Sequence, residues 1–452
     1  MSDDPTMIPR SPISAWLQRA PAPVMNAYAG IIAFLAYFCV YAFRKPFTAA
    51  TYDGLHFRST DIQLKTALVV SQIIGYMLAK YAGIKYVSEA SRASRAWMVA
   101  GLVVWAQAAM LLFAILPTDW KFVAMLLNGF PLGMIWGLMV RYLEGRRTSD
   151  ILLAILSCSF IVASGVFKDV GQAVMAGDAI PIFGLSLPNP LRVQDQFWMP
   201  AATGFLFAIP FFLMLWLLNQ LPEPSTSDIA ARTEREPMDG ARRREFLTLY
   251  FPGIALLVGA YAFLTAFRDY RDAYLVDVLN ELGSNYANGK AQISRMEMGV
   301  GFAVLATMCL LYLIKNNQRA LLAALSVIVV GFATMGVATF LHATGQLSGY
   351  WWAAFIGLGS YMAYVPYNSV LFDRLMASTG FIGTAVFAIY IADSAGYTCS
   401  IGMQIGKDLL VTDTSRVQFL RNLSYFVSAA GTLSTIAAGL YFWKRGQRTA
   451  RG

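Results

Sequence analysis

The chain has 452 residues, 57% of them hydrophobic and only 13% charged, with a formal net charge of +9. A soluble domain is about one quarter charged, so this composition excludes an ordinary cytosolic protein. Its positive mean hydropathy, +0.53, is that of a polytopic membrane protein.

Apolar stretches of about 20 residues, long enough to cross a hydrocarbon layer about 30 Å thick, recur from end to end. In chain order the first six lie near 24–51, 64–84, 96–116, 122–143, 151–175 and 197–221. A second six lie near 246–278, 296–314, 319–342, 348–376, 380–409 and 417–443. The expected fold is an all-α membrane protein with twelve transmembrane helices in two pseudo-symmetric six-helix bundles. A polar, Pro- and Ser-containing stretch between them reads as a linker. The expected division is a segment 1–23, a bundle 24–221, a linker 222–245, a bundle 246–443 and a basic tail 444–452. The break at 176–196 faces outward on this plan and is too short for a domain.

Basic residues set the orientation. They gather at Lys85, Arg92 and Arg95; at Arg141, Arg146 and Arg147; at Arg232, Arg235 and Arg242 to Arg244; at Lys315 and Arg319; and at Lys444, Arg445, Arg448 and Arg451, with Arg10 and Arg19 ahead of the first span. Short loops rich in Lys and Arg stay cytoplasmic, so both termini are expected inside, in a bacterial inner membrane. The positive charge then reflects topology and anionic lipid, and no nucleic-acid partner is expected. The first apolar run is too long for a signal-peptide core and no cleavage site follows it, so no cleaved leader is expected. Cys39, Cys158, Cys309 and Cys399 fall within spans as small hydrophobes, and His56 and His342 stand alone. Neither a metal site nor a cofactor is expected.

One motif occurs twice. AYFCVYAFR (36–44) and AYAFLTAFR (260–268) match at five of nine positions, Tyr37 with Tyr261 and Arg44 with Arg268 among them, at an offset of 224 residues that maps the first span onto the seventh. Parallel repeats of six spans place their substrate site near the midplane between the halves. Arg44 and Arg268 can then face one another. An arginine at the bilayer centre costs roughly 2.5–3.5 kcal/mol on insertion scales, a cost met by a wet cavity or a bound anion. The guanidinium fork matches carboxylate or phosphate. Two alternatives stand beside this split clamp: Arg44 snorkels at the outer interface, or Arg268 pairs with Asp272 one helical turn on.

The sequence resembles the major facilitator superfamily, and within it the organophosphate:phosphate antiporter group. YAFRKPFTAA with Arg44 and Lys45, MLAKYAG with Lys80 and FRDYRDAYL with Arg268 carry the resemblance. The loop after the second span, KYVSEASRASRAW, keeps the superfamily's basic character without its usual Asp-Arg and Gly-Arg-Arg pattern. No histidine stands in 151–175, where that group carries one. The resemblance implies a monomer.

The expected substrate-binding residues are Arg44, Arg268, Lys45, Lys80, Tyr37 and Tyr261. Lys45 lies about 100° from Arg44 on a regular helix, so it either supports the clamp or reaches solvent. Lys80 either enters the cavity or snorkels. Tyr37 and Tyr261 lie seven residues before their arginines, on nearly the same face. Tyr361, Tyr364, Tyr367 and Asn368 are expected to line the pathway, with Pro366 permitting a kink. Lys168, Asp169 and Asp393 are candidates for gating or coupling, and Asp393 is placed to pair with Lys80.

The expected function is a secondary transporter exchanging a phosphorylated metabolite for phosphate by alternating access. A proton-coupled organic carboxylate transporter is the alternative, and a non-transporting membrane anion sensor is one of another class. The expected partners are a small anion and the lipid bilayer. No Walker-type phosphate loop, nucleophile–histidine set or metal-ligand spacing marks an enzyme.

Overall fold

The computed structural model describes residues 11–89, 92–146, 148–224, 240–283, 292–379 and 385–449. Ser11 opens the first helix, α1 (Pro12–Arg19), by accepting a hydrogen bond from the Ser14 N–H with its side chain, the usual service of a hydroxyl at a helix N-cap. α2 (Ala22–Val40) follows a proline start and tightens into a 3-10 turn at Tyr41–Phe43; a second 3-10 turn covers Pro46–Ala49. The first expected span is therefore not one helix to residue 51.

Four long helices follow: α3 (Leu64–Glu89), α4 (Arg92–Ile115), α5 (Lys121–Leu143) and α6 (Ser149–Ala176). The stretch read as an outward break then forms a two-stranded antiparallel hairpin, β1 (Ile180–Ile182) and β2 (Leu185–Leu187), with Ile182 opposite Leu185. Its two turn residues, Phe183 and Gly184, both take positive φ, as a tight two-residue hairpin requires. The sixth expected span is broken at Phe207 into α7 (Met199–Leu206) and α8 (Ala208–Leu218), which meet at 44°.

The second half opens with α9 (Gly240–Glu281), so the last residues assigned to the linker are helical; residues 225–239 of that linker lie outside the described residues. α10 (Gln292–Tyr312), α11 (Asn317–Ala343) and α12 (Gly349–Pro366) follow. The expected kink at Pro366 takes the form of a π-helical turn, Tyr367–Leu371, leading into α13 (Phe372–Thr379). The chain closes with α14 (Ala385–Leu410) and α15 (Arg416–Thr449), whose helix takes in most of the expected tail. Among the orientation-setting arginines, Arg10, Arg147, Arg232, Arg235 and Arg451 lie outside the described residues, as do the side chains of Lys85, Arg92, Arg242, Arg243 and Arg448.

This is an all-α, multi-pass integral membrane protein. Large apolar side chains point outward along its helices, among them Trp97, Ile209, Leu310 and Leu433, as lipid contact demands. Length and apolarity single out eight spanning helices among the described residues, or nine with the bent α7–α8 pair, short of the expected twelve. The long helices passed over are α3, α12 and α14. They carry Lys65 and Lys80, Ser360 and three tyrosines, and Asp393, Lys407 and Asp408. Polarity lowers the hydropathy of α12 and α14, and all three helices line the central cavity.

Helix packing divides the chain into two related sets. In the first, α3 packs on α5, α4 on α5 and α2 on α6; in the second, α9 packs on α14 and α15, and α11 on α12 and α15. The sets meet along two seams, α6 against α10 and α3 against α14. Within the first set the α3–α5 approach is backbone to backbone. A Cβ at Gly129 would fall 2.1 Å from the Gln72 carbonyl oxygen, and one at Gly75 would fall 2.1 Å from that of Leu126. Small residues at helix crossings permit such approach in a membrane.

Candidate transport cavity

The site begins where α2 stops being an α-helix. At the 3-10 turn the amides of Arg44 and Lys45 both bond to the Tyr41 carbonyl, at 3.1 and 2.9 Å. The carbonyls of Phe43 and Arg44 are left without helical partners, and two neighbouring amides take them up. Asn128 Nδ2 donates to Phe43 at 2.9 Å and to Ala106 at 3.0 Å, and Gln72 Nε2 donates to Arg44 at 3.2 Å and to Asn128 Oδ1 at 2.8 Å. Buried backbone acceptors need such partners. With the helix broken, the 100° divergence expected of Arg44 and Lys45 no longer applies. Both side chains line one cavity of about 350 Å³ between the two helix sets.

That cavity also collects Tyr37, Lys80, Arg268, Tyr361, Tyr364, Asn368 and Asp393 from the sequence-derived candidates. Lys168 and Asp169 stand behind the lining, and two of the expected binding and pathway residues lie elsewhere. Tyr261 is buried behind the wall, stacked on Tyr364, and its hydroxyl donates to Asp393 at 2.7 Å. It orients that carboxylate instead of facing the cavity. Tyr367 packs against Tyr261 and Phe372. Successive steps of three residues drift by about 60° on a helix, so two such steps turn Tyr367 away from the face shared by Tyr361 and Tyr364.

The charges pair across the seams. Lys80 on α3 donates to Asp393 on α14. Asp272 on α9 accepts from Lys45, from Lys168 at 2.6 Å and from the Ser164 hydroxyl, all three from the other helix set. Asp169 accepts from the Ser294 amide and hydroxyl at the start of α10. The two arginines differ. Arg268 pairs with the neighbouring Asp269 at 2.7 Å, not with Asp272, and its guanidinium lies 3.9 Å over the Tyr364 ring. Arg44 has no carboxylate partner among the described residues. It bonds to the Tyr41 hydroxyl at 3.2 Å and sits 4.8 Å over Tyr76. The Nε atoms of both arginines are buried without a hydrogen-bond partner. Neither arginine snorkels outward.

An aromatic wall runs beside these charges from one set to the other. Tyr37 meets Trp136 at 5.1 Å, Trp136 meets Phe160 at 5.8 Å and Phe160 meets Tyr361 at 6.3 Å between ring centroids. At one end the cavity reaches Glu144, just past α5, on the face where α2 begins. Toward the opposite face the sets are tied together. Lys65 bonds to Asp277 at 2.5 Å, the Thr66 and Tyr274 hydroxyls are 2.8 Å apart, and the Gln63 amide donates to Asp408 at 3.0 Å.

Sequence reasoning missed Asp269, Asp272's role as a shared acceptor, Asn128, Gln72, Tyr76 and Trp136. Only Asp269 left a usable signal. The 224-residue offset that pairs Arg44 with Arg268 also pairs Lys45 with Asp269, a charge inversion inside an otherwise matched repeat.

Two sets of membrane helices meeting along paired seams around one polar cavity have the major facilitator fold. The crystal structure of a D-xylose–proton symporter superposes with a TM-score of 0.57 over 93% of this chain and 97% of that one, at 14% sequence identity. The likeness is one of fold. A search of curated protein sequences finds no match. The model described as "Family of unknown function (DUF5690)" matches residues 46–445, and the chain belongs to that family.

Proposed function

We propose that this protein is a secondary transporter that carries a small organic anion by alternating access, coupled to protons, through the cavity between its halves. On this reading α3, α12 and α14 also cross the bilayer, giving six spans to each half, 24–221 and 246–443. Both termini are cytoplasmic, in a bacterial inner membrane. Arg44 and Arg268 hold the anion, Lys45 and Lys80 support them, and Tyr37, Tyr361, Tyr364 and Asn368 line the path. The cross-seam groups Lys168, Asp169 and Asp393 act in gating.

The observation that carries this reading is the charge balance. Arg44, Lys45, Lys80, Lys168 and Arg268 stand in or against the cavity wall, opposed by Asp269, Asp272, Asp393 and Glu144. One positive charge is in excess, and among the described residues the cavity cation without a carboxylate is Arg44. A monocarboxylate supplies the partner that Arg44 lacks. The buried carboxylates already in the site supply proton acceptors, and the shared fold of a proton symporter supports coupling of that kind. A second reading, exchange of an organophosphate for phosphate, is supported by one observation: Arg44, Lys45, Lys80 and Arg268 of the three resembling segments line one cavity. Glu144 is exposed at the mouth, and without it the excess is two, close to the charge of a phosphate monoester.

Glucuronate and glucose 6-phosphate separate the readings, since they carry different anions on the same sugar. The expected result in proteoliposomes is glucuronate accumulation driven by an inward proton gradient and abolished by an uncoupler. Glucose 6-phosphate exchange against internal phosphate at equal pH supports the second reading. In both, Arg44→Ala weakens binding by about 2 kcal/mol or more, roughly thirty-fold, read as a lost ligand-induced rise in melting temperature. Undiminished ligand response in Arg44→Ala defeats both.

A further inference from the structure

We infer that Asp269 is the proton-coupling residue of the anion site: ionised, it occupies Arg268; protonated, it releases Arg268 to close on the anion with Arg44. The inference rests on the proton-coupled reading above and assigns it a residue.

The repeat singles out this position. Arg44 and Arg268 are equivalent, but the next residue is Lys45 in the first half and Asp269 in the second. Consequently one guanidinium has no carboxylate among the described residues and its counterpart is bound at 2.7 Å by its neighbour, with both members of that pair on the cavity wall. The second oxygen of Asp269 accepts from the Ser400 hydroxyl at 3.0 Å, which fixes the carboxylate toward Arg268. A substrate carboxylate presents the same pair of oxygens and competes for the same donors. A proton on Asp269 removes the competing charge. By linkage, whatever the proton does for anion affinity the anion does for proton affinity, so the two load together.

The groups facing Asp269 are Arg268 and Asp272 on its own helix, Arg44 and Lys45 beyond α2, Tyr76 on α3, Tyr364 on α12, and Tyr397 and Ser400 on α14. The other two cavity aspartates are built differently. Asp272 serves two ammonium groups and a hydroxyl, and Asp393 serves Lys80 and the Tyr261 hydroxyl. Protonating either one loosens a tie between the halves and leaves Arg268 where it is.

The test compares wild type with Asp269→Asn in proteoliposomes, using glucuronate. The wild type is expected to bind about ten-fold tighter at low pH than at neutral pH and to accumulate glucuronate down an inward proton gradient. Asp269→Asn is expected to bind with the same affinity at both pH values and still to exchange glucuronate across the membrane, but not to accumulate it. Gradient-driven accumulation by a folded Asp269→Asn overturns the inference and leaves the transport reading standing. A wild type that never accumulates glucuronate in response to the gradient removes the coupled reading, and this inference with it. Should Asp269→Asn fail to fold, Asp269→Glu is measured instead: a shifted pH midpoint of binding supports the assignment and an unmoved midpoint overturns it.

Discussion

Lys80 of the first half reaches Asp393 of the second and closes an ion pair on the cavity wall. Asp393 is further tied to Tyr261, and through it to Asn368, whose Nδ2 donates to the Tyr261 hydroxyl at 3.0 Å. The pair is mostly buried, with side-chain exposures of 22% and 8%. It sits on the α3–α14 seam, so its energy bears on how firmly the halves hold together in this state.

Breaking one partner of a fully buried pair costs about 3–5 kcal/mol because a charge is stranded. Partial solvation of Lys80 lowers that here. Asp393→Asn is expected to destabilise the protein by roughly 1–3 kcal/mol, and the double variant Lys80→Met, Asp393→Asn by less than either single change. Thermal melts of all four proteins give the coupling. Additive losses would remove the pair from the account of the seam.

Asn128 braces the turn that carries Arg44. It is fully buried and donates to the carbonyls of Phe43 and Ala106. Asn128→Leu keeps similar bulk and strands both acceptors at about 1–3 kcal/mol each. The expected outcome is a lower melting temperature together with a weaker response to anions, although residue 128 does not line the cavity. A variant that melts lower but binds as tightly as wild type would show that the turn at Tyr41–Phe43 holds its shape unaided.

Gly129 makes a sharper packing test. A Cβ there meets the Gln72 carbonyl oxygen at 2.1 Å and the Tyr76 amide at 3.0 Å, both backbone atoms that cannot rotate aside. Gly129→Ala is expected to cost about 3 kcal/mol, the upper end for overpacking. Gly101→Ala on α4 meets nothing within 4 Å and is expected to change stability by about 1 kcal/mol at most, in the favourable direction. Equal effects on melting temperature would contradict the close α3–α5 crossing.

Much of the architecture was legible because the bilayer imposes a length and an apolarity that composition records directly. The long helices, the broad division of the chain and the paired arginines all follow from that. The first span misled at its end. Tyr41 to Ala49 holds Arg44, Lys45 and Pro46, and the proline, which cannot continue a helix, is the local mark of the break that a reading by apolar length passed over. That break is held by Asn128 and Gln72, which are remote in sequence. The alternative that paired Arg268 with Asp272 failed because of partners remote in sequence. Helical spacing favours Asp272 four residues on, but Lys45 and Lys168 from the other half occupy Asp272, leaving Arg268 to Asp269.

By itself the sequence determined that this chain lives in a membrane, that its halves echo each other and that arginine recurs at matched positions. Each of these is a local or periodic property written in hydropathy and spacing. Only the tertiary structure decided which charges meet. An ion pair in a low-dielectric interior is set by distances of a few ångströms between helices far apart in the chain, and no spacing along one helix encodes them. That is why Lys45, Lys168 and Asp272 came together unannounced, and why equivalent arginines ended in unequal states.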